Sequence, residues 1–339
     1  MANKPSISVI IPAHVLDDTL RKVLTSFETA REEILEVIIA FDGQIQEASF
    51  FEHYGLNLRL SESKESQQGP AVGRNRGAQL AKGDILFFCD SDVSIHADTI
   101  QNIQESFQTN SECTAIIGCY DDKPTDQGMV SKFRNLLHHR VHYENHGIIK
   151  TFWSGCGAIK RQEFLSLGGF NETFRTASVE DIELGYRLSA GGQKIFLDHS
   201  VQVCHHKSWT LLSMCYTDCF LRARPWTRLL LSERSLGTTK LNVSRKDKVM
   251  LATLLMIYLL IPISLVTPTL WFTFIGLFIV HIGLKFNLWR FYHRYYSFWS
   301  MPCIYGLYLI HLTAGGIGFG LGLLDYIQLC IFNPSQNTE

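Results

Sequence analysis

Three apolar runs in the last quarter of the chain constrain its fold more than any other feature. Met250 to Val266 and Leu270 to Leu284 contain no Lys, Arg, Asp or Glu, and Thr267-Pro268-Thr269 splits them. Cys303 to Phe332 is interrupted only by His311 and Asp325. The first two runs sit near the lower limit of roughly 17 residues for a helix that spans a bilayer. Arg245, Lys246 and Lys248 precede the first run, and Lys285, Arg290 and Arg294 lie among aromatics between the second and third. The tail after Phe332 has no Lys or Arg. Three spans, with the preceding domain on the cytoplasmic side, put both basic clusters inside and the tail outside. The positive-inside rule and the aromatic belt agree with that arrangement. The competing arrangement is a hairpin that dips into the bilayer without crossing.

The other 250 or so residues of a 339-residue chain are enough for one domain with appendages. A formal net charge of -1 gives no field to steer nucleic acid, and none is expected as a partner. Nine cysteines, an odd number and without a CxxC pair, fit reduced thiols better than disulfides or a zinc site. MANKPSISVIIPAH has too short an apolar stretch for a signal peptide. The first domain is therefore expected to be cytoplasmic. Asn171-Glu-Thr and Asn242-Val-Ser match a glycosylation sequon, which carries no weight in that setting.

Short apolar runs alternate with amphipathic stretches through the first part. Strands are expected at Ile7 to Ile11, Val37 to Phe41, Leu56 to Leu60 and Ile85 to Cys89. Leu16 to Phe27 has helical spacing, with Asp17 and Asp18 suited to a first turn. Pro70 to Ala81 reads as a helix that opens on proline and stops at Gly83. Alternation of this kind predicts a parallel α/β sheet, which binds ligands beyond the carboxyl ends of its strands. Pro12, Asp42 and Asp90 all fall at such ends. Gly128 to Gly147 looks helical and irregular, and Phe152 to Lys160 resumes a strand pattern. Val179 to Ala190 reads as a helix; Ile195 to Leu197 and Val201 to Cys204 read as short strands. Trp209 to Leu231, rich in Leu, aromatics and Arg, suits either a helix in the membrane interface or a core-facing amphipathic helix. The expected boundaries are a first domain over 1–231, a basic linker over 232–248 and about three membrane helices over 249–332.

Several clusters have residue types suited to chemistry. Asp90-Ser91-Asp92 follows a buried strand, so alternate carboxylates can converge on a hard cation such as Mg²⁺ or Mn²⁺. Solvated turn acids are the competing reading. Asp42-Gly43 can accept a hydrogen bond from a nucleotide, or can simply make a turn. The segment from Gly69 to Gly77 opens a helix on small residues, and Arg74 and Arg76 suit phosphate there. Glu180-Asp181 starts a helix and offers a base, or only complements the helix dipole. His205-His206 can complete a metal shell, although such a pair is more often structural. His138, His139, His142 and His146 fall at near-helical spacing and read as a polar face over the site mouth, because no acid or cysteine accompanies them.

Taken in order, SVIIPAH, IIAFDG, GPAVGRNRGAQLAKGDILFFCDSDV, FWSGCGAIKRQEFLSLGGFNE and VEDIELGYRLSAGGQKIFLDHSVQVCHH resemble the family 2 glycosyltransferases. The resemblance implies a GT-A fold, a Rossmann-like nucleotide-diphospho-sugar transferase domain, followed here by a helical transmembrane region. It implies that Pro12, Ala13, Asp42, Arg74, Asn75 and Asp90 belong to the donor site. Asp42 matches the base-recognition acid, but the usual acidic neighbour is Phe41, and Arg74-Asn75 matches the pair near the diphosphate. Asp90 and Asp92 match the metal motif, Asp92 more directly, with His205 assisting the metal or pyrophosphate. Ser154 to Gly157, including Gly155, matches the loop under donor sugar and acceptor, next to Glu180. Asp181 matches the catalytic base. Arg224 and Trp226 sit where processive members carry Gln-x-x-Arg-Trp, but the Gln is absent and Pro225 intervenes, which argues against polymer synthesis.

The activity so implied is metal-dependent, inverting transfer of a sugar from a nucleotide sugar to a lipid, lipid-linked or saccharide acceptor at the cytoplasmic membrane face. In a bacterium that would be the plasma membrane. Two other readings compete. A nucleotidyltransferase shares the acidic metal site, but lacks use for the Glu180-Asp181 block. A sugar-binding or scaffolding membrane module shares the fold, but has no need of a base.

Overall fold

Ile7 to Ile11 is apolar at every position but Ser8 because both faces of its strand are covered. In the computed structural model, which describes residues 4–232 and 245–332, all five side chains lie in the interior, the Ser8 hydroxyl included. The chain runs β1 (Ile7–Ala13), α1 (Asp18–Glu28), β2 (Glu36–Phe41), a 3-10 turn (Ala48–Phe51), β3 (Leu58–Glu62), α2 (Pro70–Leu80), β4 (Ile85–Cys89), β5 (Val93–Ile95) and α3 (Thr99–Thr109). It continues through β6 (Cys113–Tyr120), α4 (Met129–Tyr143), β7 (Gly147–Ile149), β8 (Cys156–Lys160), α5 (Arg161–Ser166), α6 (Glu180–Ala190) and β9 (Lys194–His205). One nine-stranded sheet has the order β3-β2-β1-β4-β8-β6-β9-β5, with β7 paired to β9. The fold is a mixed α/β sheet of GT-A type followed by helices.

The expectation of a parallel sheet holds for half of it. β3, β2, β1 and β4 are mutually parallel, as buried runs joined by helices should be. β8 then enters antiparallel between β4 and β6, and β6 pairs parallel with β9. The strand expected from Phe152 begins only at Cys156, because Phe152 to Gly155 is a loop. The two short strands expected at 195–197 and 201–204 are one continuous β9, whose register against β6 shifts beyond Ile117. α3, β5 and the fully buried β6 carried no distinct pattern in the reading of the sequence.

Local chemistry fixes the helix starts. The Asp17 carboxylate accepts the Leu20 amide at 2.9 Å and caps α1. Pro70 opens α2, where a missing N–H costs nothing. Gly69 before it has φ +90, and an added Cβ would collide with the Arg175 carbonyl. Glu36, 2% exposed, is held at the start of β2 by Ser8 Oγ at 2.8 Å, Arg59 at 2.9 Å and the Lys82 amide at 2.7 Å. Burial raises the pKa of this carboxyl, but those three donors outweigh burial and hold it below its ordinary value. None of the nine cysteines is bridged. Burial pushes the Cys119 thiol up to about 12, which keeps it protonated and unreactive.

The chain divides into two compact units, one ending at Ser208 and one starting at Trp209. The segment expected to close the first domain at 231 therefore clusters with the second unit. It is helical without a break, as expected, but runs from α7 (Leu211–Tyr216) through a π-helical segment (Thr217–Ala223) into α8 (Arg224–Ser232). Of the expected linker, 233–244 and its Asn242 sequon lie outside the described residues, and the basic end opens α9 (Arg245–Val266). Then follow α10 (Leu270–Leu284), α11 (Phe286–Tyr292), a 3-10 turn (Phe298–Ser300) and α12 (Met301–Phe332). Two helices are long and apolar enough to cross a membrane, Lys246–Val266 and Phe298–Phe332. A third span exists if α10 and α11, bent by 65°, count as one.

Two ion pairs tie α12 to the segment that opens the second unit. Arg224 forks onto Asp325 of α12 at 2.7 and 2.9 Å, and Asp218 meets His311 at 2.7 Å. The two residues that break the apolar run of α12 are thus partners of the preceding segment, as unpaired charge would be costly there. Gly318 and Gly322 allow this approach, because a Cβ on either would collide with the Cys219 or Arg224 carbonyl.

Candidate active site

Pro12 and Ala13 end β1 opposite Ala40 and Phe41 of β2. The Ala13 carbonyl accepts the Asp42 amide at 2.7 Å, which sets Asp42 at the sheet edge. The half-buried Asp42 carboxylate reaches across and accepts the amides of Gln68 at 3.2 Å and Gly69 at 3.1 Å. It anchors the loop that leads into α2, and each oxygen keeps further acceptor capacity.

α2 uses three successive side chains as clamps. The Arg76 guanidinium donates to the Phe41 carbonyl at 2.6 Å and to Ser61 Oγ at 2.9 Å, tying β2 to β3. Asn75 donates to the Phe170 carbonyl at 2.8 Å and accepts the Phe170 amide at 2.8 Å. It also donates to Glu172 at 2.9 Å, so it pins the Gly-Gly-Phe loop after α5. Arg74, 3% exposed, is paired with Asp90 at 2.7 Å and Glu180 at 3.0 Å. The sequence placed Arg74 and Asn75 near a diphosphate. The structure places Arg74 between the two acidic motifs and Asn75 against a loop, with both side chains buried.

Asp90 and Asp92 flank the turn between β4 and β5, where the Val93 amide donates to the Asp90 carbonyl at 3.1 Å. β5 pairs antiparallel with β9, bringing Val93 opposite His205. The His206 amide donates to the Asp92 carbonyl at 2.8 Å. His205 Nε2 consequently stands 3.6 Å from Asp92 Oδ2. Burial raises the pKa of Asp92, but the His205 imidazole and the Lys207 ammonium outweigh it and hold the carboxyl below its ordinary value.

This pair suits a divalent ion. Two ligands each about 2.0–2.1 Å from one centre can be no more than roughly 4.2 Å apart. A separation of 3.6 Å satisfies that limit and is too long for a strong hydrogen bond between them. Among the described residues no group of three or more His, Cys, Asp or Glu forms a full cage. Two protein ligands completed by waters and phosphate oxygens is the arrangement Mg²⁺ commonly takes.

Asp181 occupies the first turn of α6 and is 5% exposed. Its Oδ2 accepts the Ser154 amide at 3.2 Å and the Ser154 hydroxyl at 3.3 Å. Its Oδ1 accepts the Ile182 amide at 2.8 Å. The loop from Ser154 to Gly155 therefore orients this carboxylate, and Cys156 and Gly157 continue into β8 beside β4. Next to Asp181, Glu180 accepts the Ser178 amide at 2.8 Å and the Arg74 pair. A continuous polar chain thus links Asp90, Arg74, Glu180 and the backbone that carries Asp181.

Arg224 and Trp226 belong to α8 of the second unit, where Arg224 is engaged by Asp325. His138 and His142 pack edge-on against the Trp153 indole at 5.5 and 4.6 Å. Tyr120 packs on the same indole at 4.7 Å. His139 stacks on Tyr143, and His146, beyond the end of α4, packs on Phe196 and His199, so these histidines join ring contacts rather than a metal face. The sequence reading missed Trp153, Tyr120 and Asn135. Only Trp153 left a signal, being adjacent to the Ser-Gly-Cys-Gly loop.

Residues 8–166 match the model of glycosyl transferase family 2. A validoxylamine A glucosyltransferase of Streptomyces hygroscopicus is 27% identical over 259 residues, covering 65% of this chain and 57% of that protein. An amylovoran biosynthesis glycosyltransferase of Erwinia amylovora is 34% identical over 104 residues, covering 28% of this chain and 34% of that protein. The chain thus spans little more than half of the first of these relatives and a third of the second. In fold it resembles a Pyrobaculum calidifontis mannosyltransferase solved with GDP-mannose and Mn²⁺. The TM-score is 0.54 at 15% identity, over 99% of this chain and 83% of that one.

Proposed function

For a chain whose residues 8–166 match the model of glycosyl transferase family 2, we propose that the first unit transfers a sugar, with inversion, from a nucleotide-sugar donor to an acceptor hydroxyl. The observation that carries the reading is the orientation of Asp181. Its carboxylate is fixed by Ser154 and by the Ile182 amide, and it adjoins Glu180, which Arg74 ties to Asp90 of the Asp-Ser-Asp turn. One polar chain thus joins the proposed base to the acids of the proposed donor site, which supports an in-line displacement.

Each residue has a distinct role in this scheme. Asp42 and the loop it anchors receive the nucleoside at the ends of β1 and β2, where Pro12 and Ala13 form the floor. Asp181 removes the proton of the acceptor hydroxyl. That oxygen bonds to the anomeric carbon as the bond to the diphosphate oxygen breaks. Ser154, Gly155 and Gly157 border the space between sugar and acceptor. Arg74 holds Asp90 and Glu180 in place, and Asn75 holds the neighbouring loop. Asp92 and His205 would hold Mg²⁺ or Mn²⁺, which stabilises negative charge on a leaving diphosphate. The bound GDP-mannose and Mn²⁺ of the fold relative support the choice of a nucleotide sugar and a divalent ion.

The membrane-compatible helices support an acceptor that is a lipid or lipid-linked, with the first unit at the cytoplasmic face. Arg224 and Trp226, held on α8, are the residues of the second unit assigned here to that acceptor. Nucleoside diphosphate release from a panel of nucleotide sugars, with Mn²⁺ or Mg²⁺ and lipid extract, tests the reading on the full chain. Metal-dependent release from one donor, lost in both Asp92→Asn and Asp181→Asn, is expected. Release that survives Asp181→Asn unchanged would remove the base assignment. Donor binding without turnover would favour a sugar-binding module instead.

A further inference from the structure

We infer that Asn135 is the positioning residue that selects the tautomer of His205 and aims its Nε2 at the ion site beside Asp92. The inference rests on the reading of Asp92 and His205 as ion ligands. Asn135 lies on the buried face of α4 and is 4% exposed. Its Nδ2 donates to the Lys207 carbonyl at 3.2 Å, which turns Oδ1 toward the His205 ring. That oxygen is 2.8 Å from His205 Nδ1. An amide oxygen only accepts, so Nδ1 carries a proton, and Nε2 is the nitrogen left to offer a lone pair to an ion. Nε2 is the nitrogen that faces Asp92 Oδ2, at 3.6 Å.

A second contact fixes the plane of the ring. Tyr120, at the end of β6, stacks on the imidazole with centroids 4.2 Å apart and planes 7° apart. His139, one helical turn after Asn135, bonds the Tyr120 carbonyl through Nδ1 at 2.7 Å, so α4 holds both the amide and the stacking ring. Ring flip would set the Asn135 oxygen against a C–H and turn Nε2 away from Asp92. Oriented imidazoles of this kind are the usual outer shell of a metal-binding histidine, and losing the orienting partner typically weakens the metal 10–100-fold.

The test is Mn²⁺ affinity of the full chain in detergent, read by electron paramagnetic resonance without donor. Asn135→Leu should weaken Mn²⁺ about 10–100-fold. Asn135→Asp, which still accepts from Nδ1–H, should bind Mn²⁺ as the parent does. His205→Ala should weaken Mn²⁺ at least as much, and Asn135→Leu added to it should have no further effect. A parent-like affinity in Asn135→Leu, with His205→Ala weakened, would overturn the role of Asn135 and leave the ion site standing. Losses that simply add in the double variant would mark a structural role and also overturn it. Parent-like Mn²⁺ binding in His205→Ala would remove the ligand reading and the inference together. If Asn135→Leu does not fold, Asn135→Ser, too short to reach Nδ1, replaces it with the same expected loss.

Discussion

The two halves of the sheet are built by different rules. In β3-β2-β1-β4 every strand runs parallel to its neighbour, and β1, β2 and β4 are short apolar runs. In β8-β6-β9-β5 two antiparallel pairs flank the parallel β6–β9 pair, and strands meet across long separations, as β5 and β9 do. The first half supplies Pro12, Ala13 and Asp42 at its strand ends. The loop before β8 and the end of β9 supply Ser154 and His205, while Asp181 follows on α6. The halves join at the β4–β8 pairing, and Arg74 bridges the same seam through Asp90 and Glu180. Binding and chemistry should therefore separate on substitution.

The largest expected effect is on the chemical side. Asp181→Asn should lower kcat by about 10²–10⁴, the range for losing a general base, while donor affinity stays within about twofold. Single-turnover kinetics beside equilibrium binding of the same nucleotide sugar checks both quantities. A matched loss of donor affinity would mean that Asp181 helps shape the donor cradle, and the comparison would blur.

Arg74→Leu strikes the seam itself. The side chain is 4% exposed and Glu180 likewise, so removing the cation strands buried negative charge. Breaking a buried pair in this way typically costs about 3–5 kcal/mol. Chemical unfolding of the full chain should show that loss, with Arg74→Lys recovering only part because an ammonium cannot fork onto two carboxylates at once. Stability close to the parent's would show that the two halves hold together without Arg74.

How legible the molecule was follows the same division. β1, β2 and β4 stand within one or two residues of their apolar runs, because a strand covered on both faces needs no partner pattern to betray it. Asp90 and Asp92 were visible because they follow such a strand directly. β6 is equally buried, but it lies between the motif-bearing blocks, and nothing near Cys113 announces its long-range pairing. The burial of Arg74 was illegible because its fate depends on Glu180, 106 residues away. Asn135 sits on a helix whose histidines draw attention, and only the fold of β9 reveals which ring nitrogen it faces. The pairing of Asp325 with Arg224 was hidden for the same reason.

Asp42→Ala sharpens the comparison from the binding side. It removes the acceptor for the Gln68 and Gly69 amides and any contact to a nucleoside. A loss of about 1–2 kcal/mol corresponds to a factor of about 5–30, expected in the donor KM with kcat nearly unchanged. Steady-state kinetics with varied donor decides it. A fall in kcat alone would place Asp42 in the chemistry and undo the division.

Glu36→Gln gives the smallest effect and probes the first half alone. Glu36 is far in the fold from the strand ends, at the opening of β2, so transferase activity should not change. Its stabilisation at neutral pH comes from donors that prefer a carboxylate: Arg59, the Lys82 amide and Ser8. Exchanging charged for neutral hydrogen bonding costs about 1 kcal/mol. Because the folded-state pKa lies below the ordinary 4.5, the carboxylate's contribution is complete above 4.5 and is lost as pH falls through the folded value. The stability gap between parent and Glu36→Gln should therefore be widest near pH 7 and shrink on acidification below about 4.5. Chemical unfolding at a series of pH values measures that gap. A gap that widened toward acid would mean that Glu36 is held protonated, and that burial, not its three donors, dominates this corner of the parallel half.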